Sequence, residues 1–280
     1  MQNSGDNGKN SPASSVASKA AYWGHLSPYL LWIAFIMIFQ LADSLGNPFP
    51  RSWIAPSYAF KSLICFVLIL LFKPWRYLKP KPDAPYFGNK LYDSLGGNIA
   101  LGIVGGILVA ILWILPESPF FFSKCRGFCE FYNQWLIMPL GSNPEYFAAP
   151  IFPSLPEGHK SLAYSPEECG WFFTIAKLFG SAFVIAAAEE YFFRSFLYRW
   201  VRNGNFLSIP LSKFDAPTFW IVVAVFALEH DRWFMGAVAG IVYGLLAVKC
   251  RHFCAPIIAH MVTNLILGLY VIVSGQYGFW

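Results

Sequence analysis

Charge is what this sequence has least of. Only 12% of its 280 residues are Asp, Glu, Lys or Arg, roughly half the ~25% of an ordinary soluble domain. That deficit excludes a large soluble domain. The net charge of +5 is small and lies largely between apolar runs, so it bears on topology and no nucleic-acid partner is expected. The first twenty residues, MQNSGDNGKNSPASSVASKA, lack the apolar centre of a cleavable signal peptide. Residues 1–20 are polar and rich in Ser, Asn and Gly, and are expected to be a disordered cytoplasmic tail. Internal repeats are missing, as are the paired broken helices of a transporter. Cysteines are few and scattered. Cys125, Cys129 and Cys169 share one long loop, where a disulfide is open to them if that loop is extracytoplasmic. Cys250, His252 and Cys254 lack the second ligand pair of a zinc site.

What is present is apolar: 56% hydrophobic residues, 19% aromatic, and a mean hydropathy of +0.48. Runs near the ~20 residues of a membrane span fall at 26–42, 54–72, 96–115, 171–193, 216–230, 233–248 and 253–274. The fold class is therefore all-α, a polytopic transmembrane helical bundle of seven to eight spans. Connections 73–95, 194–215 and 249–252 are basic, whereas 116–170 is acidic. The positive-inside rule sends the three basic connections and the N-terminus to the cytoplasm. Residues 21–164 then form N-terminal membrane helices with a long extracytoplasmic loop. Within that loop FYNQWLIMPL is too short to span; it lies in the interface or extends into an eighth span. The 216–230 run is also short, about 22 Å at 1.5 Å per residue, so the hairpin it opens need not cross the full bilayer. Lys61 interrupts the second run and is expected to face the bundle interior or a polar cavity. Gly236, Gly240 and Gly244 share one helix face and let a neighbouring helix approach closely.

An ionisable residue inside a membrane span is costly, which makes it a functional candidate. The second half of the chain carries Glu189, Glu190, Glu229, His230 and His260, with Asn264 as a neutral companion. Glu190 and Arg194 are four apart on one helix face and are expected to pair. Glu189 points about 100° away and lacks that partner, which leaves it free as a base. Phe226 and His230 share a face, as do His260 and Asn264. Taken singly, these are ordinary interfacial charges or interhelical hydrogen-bonding groups. Together they describe one site.

EEYFFR (189–194), FALEH (226–230) and HMVTN (260–264) resemble, in order, the EExxxR, FxxxH and HxxxN motifs of the CPBP intramembrane proteases, named for CAAX-protein and bacteriocin processing. The resemblance covers about residues 165–275, so 165–280 is expected to be the catalytic part. The wording FALEHDRWFMGAVAGIVYGLL and the terminal LGLYVIVSGQYGFW look like a narrower bacterial branch associated with exosortase and exopolysaccharide systems, which implies an inner-membrane location. The resemblance implies an endopeptidase acting on a membrane-associated protein or peptide. Glu189 would activate water, His230 would assist, and His260 and Asn264 would stabilise the oxyanion. Arg194 would hold Glu190, and Phe226 would pack beneath. No cofactor is needed for a glutamate mechanism; zinc on Glu189, His230 and His260 is the alternative. A non-enzymatic scaffold, immunity or assembly factor is the other function class, although none of the motif residues is replaced here.

Overall fold

The computed structural model describes residues 12–78, 88–137 and 160–280, and every element in them is helical. The principal helices are α1 (Pro12–Ser44), α2 (Ile54–Phe72), α3 (Leu95–Ile114), α4 (Pro119–Trp135), α5 (Pro166–Trp200), α6 (Ala216–Leu228), α7 (Trp233–Lys249) and α8 (Cys254–Ser274). All seven expected apolar runs are helices. Five of the helices are long and apolar enough to cross a membrane, those of α1, α2, α3, α5 and α8. Helices α6 and α7 are shorter, with 13 and 17 residues.

Three expectations change. Helix α1 starts at Pro12, so 12–20 is helical instead of part of a disordered tail. Pro suits a first helical turn, and the Ala and Lys that follow favour helix. Residues 1–11 lie outside the described residues. In the long loop, the first half of FYNQWLIMPL belongs to α4, a 17-residue helix that buries Cys129 and Tyr132. No eighth span is found among the described residues; 138–159 lie outside them. Finally, Cys125, Cys129 and Cys169 are free thiols. Cys125 and Cys129 are successive-turn neighbours on α4, and Cys169 instead hydrogen-bonds the Ser165 carbonyl.

The connections sort to two ends. At one end Tyr22 donates to the Gly204 carbonyl, Arg251 N to the Tyr92 carbonyl at 3.0 Å, and His252 N to Asn98 Oδ1 at 2.8 Å. His25 of α1 also faces Tyr77 at 6.2 Å, so the three basic connections and the start of α1 meet. At the other end Arg51 pairs with Glu168 at 2.6 Å, and Arg232 pairs with Glu117. There Trp233 Nε1 donates to the Trp135 carbonyl at 3.1 Å. Apart from α4, which begins and ends at this second end, successive helices run in alternate directions.

Small residues set the spacing of the helices that carry the polar motifs. A Cβ on Gly240 would touch Val223 and Phe226 at 3.5 Å, and one on Gly244 would reach Phe219 at 2.7 Å. The glycine face of α7 thus seats α6. Helix α3 does the same for α8: a Cβ on Gly102 would stand 2.7 Å from the Ala255 carbonyl oxygen. Thr263 Oγ1 also donates to the Gly106 carbonyl at 3.0 Å. Close backbone approach of this kind is how packed membrane helices gain dispersion energy.

Candidate active site

Helix α5 is irregular where it carries the paired glutamates. Ser165 caps it by accepting from Glu168 N, and Pro166 occupies its first turn. Further along, π-helical turns at Gly180–Ile185 and Tyr191–Leu197 bracket the α-helical Ala186–Glu190. Wide turns of this kind inside α-helices concentrate at functional sites. Each moves a side chain relative to the α-helical face and loosens the backbone hydrogen-bond ladder.

Glu190 is fully buried and Arg194 nearly so. Arg194 Nη1 donates to Glu190 Oε1 at 3.0 Å, the expected pair. The same carboxylate oxygen also accepts from His260 Nδ1 at 2.9 Å. The other imidazole nitrogen, Nε2, faces Glu189 Oε2 at 3.6 Å, too long for a hydrogen bond. His260 therefore lies between the two neighbouring glutamates. Glu189 Oε2 is buried and has no hydrogen-bond partner among the described residues. The two carboxylates differ: Glu190 Oε1 takes both donors, while Glu190 Oε2, like Glu189 Oε2, has no hydrogen-bond partner among the described residues.

Phe226 links the remaining parts. Its ring centroid is 4.7 Å from that of His230 and 5.9 Å from that of His260, so the two imidazoles are no farther apart than those lengths combined. The Arg194 guanidinium lies 4.0 Å over the same ring, a cation–π contact. His230 Nδ1 donates to the Phe226 carbonyl at 2.8 Å, and Trp113 stands edge-on to its ring at 5.5 Å. With Nδ1–H so used, neutral His230 keeps Nε2 as an acceptor. The short α6 places this histidine at helix depth; 13 residues rise only about 20 Å.

Asn264 departs from its expected neighbour. Its Nδ2 donates to the Ser181 carbonyl at 3.0 Å, within the first π-helical turn, while His260 turns to the carboxylates. Glu229, the remaining ionisable residue of this region, is exposed. Two residues that sequence reasoning missed support His260. Tyr243 stacks on the imidazole at 4.8 Å and 23°. Its hydroxyl donates to Thr263 Oγ1 at 2.7 Å. Tyr243 lies between Gly240 and Gly244, so the small-residue face was the available signal.

Among the described residues no group of three or more His, Cys, Asp and Glu side chains is arranged to hold a metal ion. The zinc alternative needs Glu189, His230 and His260 on one ion. Both Nδ1 atoms are hydrogen-bonded, to the Phe226 carbonyl and to Glu190, an arrangement that leaves both Nε2 atoms as the nitrogens that would hold an ion.

Fold and centre together define an integral membrane bundle of α-helices enclosing a carboxylate–histidine–arginine cluster. Residues 171–266 match the family described as Rce1-like, type II CAAX prenyl endopeptidase. The CPBP resemblance carried by the three motifs is thereby borne out over that part of the chain. No curated protein matches the chain, and no solved structure does.

Proposed function

We propose that the chain is an intramembrane endopeptidase that hydrolyses a peptide bond in a membrane-associated protein or peptide. The observation that carries this reading is the buried Glu189 Oε2, without a hydrogen-bond partner and 3.6 Å from His260 Nε2. A general base must offer an acceptor to the proton it removes. Glu189 would take a proton from the attacking water as its oxygen bonds to the scissile carbonyl carbon. His230 Nε2 would accept the water's second hydrogen and orient the molecule.

Glu190 receives Nδ1–H of His260, which fixes the ring. The His260 imidazole and the second amide hydrogen of Asn264 would stabilise the oxyanion. Arg194 compensates Glu190, so that only Glu189 is left to act as base. Proton return from Glu189 to the leaving amine completes hydrolysis.

The basic end of the bundle would face the cytoplasm, in a bacterial inner membrane. Reporter fusions after Lys81 and after Leu140 should then report opposite sides. The exosortase-associated branch rests on the wording around FALEHDRW and at the C-terminus, and suggests a substrate of a protein-sorting system.

The test is cleavage of membrane-proximal peptides by the reconstituted chain, comparing wild type with Glu189→Gln, with and without chelator. Loss of general-base catalysis lowers the rate about 10²–10⁴-fold. Chelator should leave wild-type cleavage unchanged. Loss on chelation, restored by zinc, would replace the metal-free mechanism. A wild type that cuts nothing, with Glu189→Gln still complementing a deletion strain, would favour the non-enzymatic scaffold.

A further inference from the structure

A cavity of about 580 Å³ lies outside the glutamate–histidine cluster, among α1, α2 and the first half of α5, and is closed partly by Tyr164 and the terminal Trp280. Two lysines enter it. Lys61, only 9% exposed, places Nζ 4.1 Å from the Trp32 ring and 4.8 Å from Tyr58. Lys177 places Nζ 4.0 Å from the same Tyr58 ring and 4.8 Å from Tyr164. The two ammonium groups thus share one aromatic ring.

Neither lysine forms a salt bridge with a carboxylate of the described residues. Asp43 and Arg51 line the same cavity, and Arg51 also binds Glu168 twice, at 2.6 and 2.7 Å. Two neighbouring cations in a low-dielectric site repel each other and lose hydration. Aromatic faces offset part of that loss, and an anion would offset the rest. The wall leading outward is apolar, with Phe35, Ile36, Phe39 and Ile54. Next to it, Met37, Ile38 and Leu41 are exposed on the outer face of α1, where lipid would lie. The volume suits a head group and the start of a chain.

We propose that this cavity binds an anionic lipid, its head-group phosphate on Lys61 and Lys177 and its acyl chain along Phe35, Ile36 and Phe39. Phe35, Ile36 and Phe39, which line the cavity alongside Gln40, Asp43 and Arg51, favour a bilayer lipid over a water-borne anion. The site does not depend on the proteolytic reading, and binding is measured equally well in a Glu189→Gln background.

The experiment uses the full chain in neutral detergent. Native mass spectrometry counts retained lipid during titration with phosphatidylglycerol or phosphatidylcholine, and thermal melts are run with each lipid and with inorganic phosphate. One phosphatidylglycerol per chain should be retained in preference to phosphatidylcholine. Lys61→Met and Lys177→Met should each weaken that retention about tenfold, the loss expected for one charge-assisted contact. Lys61→Arg, which keeps the charge, should retain the lipid and guards against misreading a folding defect. Unchanged retention in both Met variants would overturn the proposal. So would inorganic phosphate raising the melting temperature as much as lipid does. Displacement of phosphatidylglycerol by a peptide carboxylate, but not by its amide, would overturn it in favour of a site for a substrate terminus.

Discussion

Exchanging either of the adjacent glutamates for glutamine should give opposite phenotypes. Glu190 is fully buried and its Oε1 receives two donors, Arg194 Nη1 at 3.0 Å and His260 Nδ1 at 2.9 Å. Glu190→Gln preserves the shape but removes the charge, leaving a guanidinium that is only 2% exposed without its counter-ion. Breaking one partner out of a buried pair costs about 3–5 kcal/mol, roughly a hundred- to several-thousand-fold in the folding equilibrium. The Phe226 face returns little of this, since a cation–π contact contributes about 0.5–2 kcal/mol and is already present in wild type. Glu189 is different: among the described residues it has no arginine partner, and its Oε2 makes no hydrogen bond and stands 3.6 Å from His260 Nε2. Glu189→Gln should therefore leave stability within about 1 kcal/mol of wild type while lowering cleavage about 10²–10⁴-fold. The assay is reversible unfolding in mixed micelles, followed by peptide cleavage on the refolded fraction. Equal destabilisation by both changes, or a neutral Glu190→Gln, would refute the assignment of structural and catalytic carboxylates.

Two further outcomes follow from the packing. Glu117 and Arg232 are 1% and 12% exposed and tie the α3 end to the α6–α7 turn. Glu117→Gln alone should cost about 3–5 kcal/mol, while adding Arg232→Met should recover part of it. Strict additivity in that double-mutant cycle would show that the pair is not coupled. On α7, Gly244→Ala drives a Cβ to within 2.7 Å of Phe219, whereas Gly240→Ala meets its neighbours at an ordinary 3.5 Å. The first should lose about 1–3 kcal/mol by overpacking and the second should be nearly neutral; equal losses in the same unfolding assay would contradict the close α6–α7 approach.

The positions of the helices were legible because an apolar run near twenty residues in length can bury its backbone polar groups in lipid only as a helix. Glu190–Arg194 was legible for a similar reason: a four-residue interval puts two side chains together within one helix, whatever surrounds it. The Gly236, Gly240 and Gly244 face could be read from spacing alone, and Gly102 and Gly106 on α3 carry the same signal. The start of α1 at Pro12 was obscured by the polar composition around it.

The partners of His260 and Asn264 are a different matter. Their shared face is a local property, but what that face meets depends on the rotation and depth of α5 against α8. The π-helical turns at 180–185 and 191–197 change that rotation, and they arise from i→i+5 bonding that no residue pattern here announces. Hence the sequence by itself determined an all-helical membrane bundle, the motif residues and the Glu190–Arg194 pair. Only the tertiary structure decided that His260 joins both glutamates, that Asn264 goes to the Ser181 carbonyl, and that Lys61 meets Lys177 across Tyr58. These contacts join helices distant in sequence, and interhelical geometry is set by packing that a single chain's periodicity does not encode.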